Sequence, residues 1–146
     1  MGRQLDEEAA RRESAATARP TAALPPSWST ARRARLWGRT DSNAELVQYA
    51  EAWARKIHFN TTVDVVREIA RQSHTDPMVT VAVRSDGSVE SVTFVLSSGV
   101  AAIDEAIRRI VESQAHYQAF PPGLARDFDV IEIRRTWHFD GAIRLY

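Results

Sequence analysis

VTVAVRSDGSVESVTFVL, residues 79–96, reads as two extended arms about a tight turn. Val79, Val81 and Val83 alternate with other residues, the period of a half-buried strand. Ser85-Asp86-Gly87-Ser88 follows, and its Asp-Gly pair favours a short hairpin loop because glycine takes positive φ at little cost. The second arm runs from Val89 to Leu96, with Val92, Phe94 and Leu96 alternating.

Downstream the period changes. Ser97-Ser98-Gly99 reads as a turn with no chemistry of its own. Ile103, Ile107, Ile110 and Val111 then recur at helical spacing, predicting a helix over residues 101–115 with Asp104 and Glu105 in its positive first turn. Phe120-Pro121-Pro122-Gly123 ends that segment and is expected to hold the chain extended. DVIEIRRTWHF, residues 129–139, alternates again. Ile131, Ile133, Trp137 and Phe139 share one face; Glu132, Arg134, Thr136 and His138 share the other. Arg135 falls on the apolar face, where an unpaired charge is costly. A bulge accounts for it, or a strand that runs past the core so that Arg135 reaches solvent or a carboxylate.

Upstream, Ser42 with Glu45 fits a capping box. Leu46, Tyr49, Ala50, Trp53 and Ile57 follow at helical spacing, and Tyr49 and Trp53 read as core. A shorter helix is expected over residues 63–72, capped by Thr61 or Thr62, with Val66, Ile69 and Ala70 inward. The order is α-α-β-β-α-β. It predicts an α+β two-layer sandwich: a three-stranded antiparallel sheet with helices packed on one face. The last strand joins one side of the hairpin and leaves an unpaired backbone edge.

The 146 residues carry 19 basic and 19 acidic side chains, so net charge supplies no steering field toward polyanions. The charge is uneven. Residues 1–40 hold eight Arg against four acids, and residues 41–146 hold eleven basic residues against fifteen acids. Residues 1–41 are rich in Ala, Arg, Pro, Ser and Thr and read as a flexible linker, with residues 42–146 as the folded domain. There is no cysteine, which excludes disulfides and Cys-ligated metal. No run of about eighteen apolar residues exists to span a bilayer.

Catalytic patterns are missing. None of His58, His74, His116 and His138 lies at metal-ligand spacing from another, and neither Ser97-Ser98-Gly99 nor Gly87 belongs to a nucleophile elbow or phosphate loop. Neither an enzyme nor a cofactor is expected. Arg32-Arg33-Ala34-Arg35 beside Trp37 reads as a solvated basic arm or, alternatively, as a contact for nucleic acid or a membrane surface. The sheet edge points to binding of an extended peptide by strand addition.

Several stretches in order carry a resemblance: Tyr49, Trp53, Lys56 and Ile57, then VAVRSDGSVESVTFVLSSG, IDEAIRRIV, YQAFPP and IEIRRTWHF. Together, over about residues 43–146, they resemble the C-terminal domain of the TonB family of energy transducers. The resemblance implies a periplasmic domain that grips the TonB box of an outer-membrane receptor beside its last strand. Val130, Ile131, Glu132, Ile133, Arg134, Arg135, Thr136, Trp137 and His138 would form the gripping edge, with Arg134, Thr136 and His138 as candidate selectors. It also implies an N-terminal helix anchored in the inner membrane, an ExbB–ExbD proton-driven motor, and uptake of siderophores, haem or similar cargo. No nucleic-acid partner is implied, and exposed edges are compatible with strand-exchanged homodimers. The Ala-rich stretch and the early Tyr/Trp helix also resemble TolA, the envelope-tethering relative.

Overall fold

The computed structural model describes residues 31–146. Of the linker expected over residues 1–41, residues 1–30 lie outside them. The element order is β1 (Arg33–Leu36), α1 (Ala44–Asn60), α2 (Val63–Ala70), β2 (Met78–Arg84), β3 (Val89–Leu96), α3 (Ala101–Ser113), α4 (Pro122–Asp127), β4 (Val130–Phe139) and β5 (Ile143–Leu145).

The hairpin forms where the sequence places it. β2 and β3 pair antiparallel, and Gly87 takes φ +88°. Asp86 Oδ1 accepts from the backbone N–H and the hydroxyl of Ser88. The tip is also a docking point. Tyr117 N–H donates to Gly87 O at 2.8 Å and Phe120 N–H donates to Ser85 O at 2.9 Å. A Cβ on Gly87 would collide with the Tyr117 backbone, so glycine is required twice, for φ and for space.

The helices form for the expected reasons, with shifted ends. Asn43, rather than Ser42, caps α1, its side chain accepting from Leu46 N–H. Thr62 caps α2, and Val66 and Ile69 are buried while Ala70 stays exposed. The Ser97-Ser98-Gly99 turn has more chemistry than its sequence suggests. Ser97 and Ser98 both donate to the Asp104 carboxylate, tying the end of β3 to the first turn of α3. Pro121 is extended, as expected, but Pro122 and Gly123 already belong to a helix. Pro121 caps α4 and Pro122 opens it, because proline at the first helical position forfeits only an N–H that has no helical partner; Leu124 of α4 is fully buried.

The α+β class holds, but the sheet has five strands instead of three. Its order is β1-β4-β2-β3, with β5 also pairing β4. β4 runs antiparallel to β2 and to β5, and parallel to β1. β1 therefore lies in the compact unit Arg33–Tyr146, ahead of residue 42, where the folded domain is expected to start. Val79, Val81, Val83, Ile131, Ile133 and Trp137 lie on the core face and join buried residues from all four helices in one cluster. The opposite face of β4 carries Glu132, Arg134, Thr136 and His138, each half-buried.

Candidate functional site

β4 is the organising strand of the sheet. Its alternation of buried and half-buried residues runs from Ile131 to Phe139 without a break. The expectation that Val130–His138 forms an open edge is corrected by the pairing. β2 lies along one side, from Arg84 opposite Val130 to Met78 opposite Thr136. On the other side β1 takes Val130 to Ile133. Thr136 exchanges two backbone hydrogen bonds with Tyr146, and Trp137 to Phe139 pair with β5. Two short segments, β1 from ahead of α1 and β5 from just after β4, thus cover the edge that the sequence left free.

The β1 pair is built from two kinds of contact. On the core face, Ala34 lies opposite Ile131 and Leu36 opposite Ile133, and both β1 residues are buried. On the open face the contacts are ionic. The Arg33 guanidinium spans two carboxylates, reaching Glu90 at 2.8 and 2.9 Å and Glu132 at 3.1 Å. Arg35 Nε donates to Glu132 at 3.3 Å. The Glu90 and Glu132 side chains retain 13% and 17% of their exposure, so these pairs are shielded more than ordinary surface ion pairs. The hydrogen bond with Glu90 raises the Arg33 pKa above its usual value against a smaller opposing effect of burial.

Trp37 follows β1 and remains half exposed, with the Arg134 guanidinium 3.9 Å from its ring centroid and that of Arg35 at 5.9 Å. Arg134 Nε also donates to Thr80 Oγ1 at 3.0 Å. His138 Nδ1 lies 2.8 Å from Asp76 Oδ2. Of the three candidate selectors, Arg134 and His138 are already engaged by neighbours, and all three share the open face.

Arg135 resolves differently from both sequence expectations. The β4–β2 register is continuous through it, so there is no bulge, and its side chain is 1% exposed. Its Nη1 donates to Gly38 O and to Arg134 O, each at 2.9 Å. Nη2 has no hydrogen-bond partner among the described residues. Burial lowers its pKa, opposed by the nearby Glu51 carboxylate. The buried guanidinium fastens the chain just after β1 to β4.

Sequence reasoning missed β1 as a partner of β4. The signal was present in Arg33-Ala34-Arg35-Leu36, which alternates with a period of two beside acids at Glu90 and Glu132. The Arg-rich arm is accordingly not free basic surface at Arg33 and Arg35, which are ion-paired within the sheet. Tyr49 and Trp53 are core, as expected. Among the described residues no group of His, Asp and Glu is arranged to hold a metal, and no helix is long and apolar enough to cross a membrane.

Residues 50–134 match the family model described as TonB C terminal, a span from α1 to the middle of β4. No curated protein and no solved structure matches the chain.

Proposed function

The chain belongs to the TonB C-terminal family, and from that premise we propose that it is the periplasmic domain of an energy transducer. It grips an extended segment of an outer-membrane receptor by adding it as a strand to β4. An ExbB–ExbD-type motor in the inner membrane pulls on the domain through the N-terminal part of the protein, and the receptor opens to admit siderophore, haem or a similar cargo. No catalytic step and no cofactor enters this reading.

The observation that supports it is the parallel pair of β1 with Val130–Ile133. This stretch of β4 accepts a short extended segment from a distant part of the chain, using main-chain groups for the ladder and alternate side chains for fit, which is how strand addition works. The test is a calorimetric titration of the chain with synthetic N-terminal segments of outer-membrane receptors from the same organism. Saturable binding is expected, with loss of it when prolines replace alternate residues, since proline cannot donate to the ladder. Absence of binding by every segment, or equal binding of the proline-substituted ones, overturns the reading.

A further inference from the structure

Among the described residues, β1 is an edge strand paired with β4 alone. It is four residues long, and only Ala34 and Leu36 enter the core. On leaving, it gives up the burial of one Ala and one Leu side chain, which an incoming segment with apolar residues at the same positions regains. What marks its slot is charge. Among the described residues, the ion pairs made by Glu90 and Glu132 are those with Arg33 and Arg35 of β1. The two carboxylates converge on one guanidinium from β3 and β4, strands separated by β2.

We propose that β1 is an exchangeable occupant of the β4 edge, and that Glu90 and Glu132 select an incoming extended segment with basic residues at alternate positions and apolar residues between them. This names the partner chemistry of the strand-addition site and rests on that reading. A segment running parallel to β4 places its first and third side chains over the carboxylates, and its second and fourth where Ala34 and Leu36 now sit. A fifth aromatic residue takes the place of Trp37 against the face of Arg134. A segment with acids at the first and third positions sets like charges together in a shielded site, and a neutral one leaves two carboxylates without their cations. Both carry a penalty that the basic segment does not.

The full chain, isotopically labelled, is titrated with three synthetic peptides: Arg-Ala-Arg-Leu-Trp and its counterparts with Glu or Gln at both Arg positions. Backbone amide shifts locate binding, and the affinities are compared. The basic peptide is expected to bind about tenfold or more tighter than the acidic one, with shifts at Val130–Ile133 and loss of the native signals of Arg33–Leu36. Glu132→Gln and, separately, Glu90→Gln are each expected to shrink that preference about threefold or more. Should one variant fail to fold, the other carries the comparison. Equal affinity of all three peptides, with shifts at Val130–Ile133, overturns the charge selection and leaves strand addition standing. Receptor segments that bind while no peptide disturbs Arg33–Leu36 overturn exchange of β1. If receptor segments also leave β4 undisturbed, the strand-addition reading falls with it.

Discussion

Arg135 Nη1 donates to the carbonyl of Gly38 at 2.9 Å from a side chain that is 1% exposed. The bond ties the residue that follows Trp37 to the strand that β1 pairs with. It places a buried charge, expensive in itself, at the point where β1 leaves the sheet. Arg135→Met keeps the bulk and removes the bond. Amide hydrogen exchange at Arg33–Leu36 is expected to accelerate at least about tenfold while β2 stays protected, because local opening is governed by local contacts. Unchanged protection of Arg33–Leu36 would show that the guanidinium does not hold β1.

Gly87 and Gly99 both take positive φ, +88° and +85°, but only Gly87 faces another segment closely. Gly99→Ala should cost about 1 kcal/mol for its backbone conformation. Gly87→Ala adds a collision with the Tyr117 backbone and should cost at least about 2 kcal/mol. Denaturant midpoints check the pair. Equal costs would mean that residues 117–120 yield freely at the hairpin tip.

Burial works against ionisation of Asp104, yet hydrogen bonds from Ser97 and Ser98 hold its carboxyl below the usual aspartate value. A carboxyl depressed in the folded state contributes stability in full above its unfolded pKa, about 3.9. That contribution is lost as pH falls through the lower folded value. Asp104→Asn should therefore be less stable at neutral pH and should flatten the decline of stability below about pH 4. Unfolding curves from neutral pH down to about pH 2 read this directly, and parallel declines in the two proteins would contradict it.

Ile107 is fully buried on α3 within the core cluster. Ile107→Ala should cost about 2–5 kcal/mol, the range for truncating a large aliphatic side chain in a packed core. A cost near zero in chemical denaturation would place the helix elsewhere than against the sheet.

The parts of the fold that were legible are those with repeated signals. The hairpin combines alternation with Asp86-Gly87. α3 repeats Ile103, Ile107 and Ile110. β4 alternates from Ile131 to Phe139, with Arg135 as the one charge on the apolar face. β1 and β5 were hard to read because three or four residues give at most two repeats of a period, too few to stand out from a linker; Ala34 and Leu36 alone carry the core side of β1. α4 was hidden by Pro121-Pro122, which suit an extended segment and a helix start equally. At the site, residues 130–139 were recognised as a strand, but its place in the sheet was not, since central position follows from β1 and β5. Arg135 was flagged by its place on an apolar face, and its partner proved to be a carbonyl in a stretch read as linker.

The chain has no cysteine, so a single engineered disulfide can lock β1 in place. Arg35 and Glu132 are aligned partners across β1 and β4, and neighbouring strands bring Cα atoms within disulfide reach. In the Arg35→Cys, Glu132→Cys double variant, binding of a receptor N-terminal segment is measured before and after reduction. Exchange at β4 predicts that the oxidised form does not bind and that reduction restores binding. Equal binding by the oxidised and reduced forms would contradict it, because the β4 edge would then not be where the receptor is held.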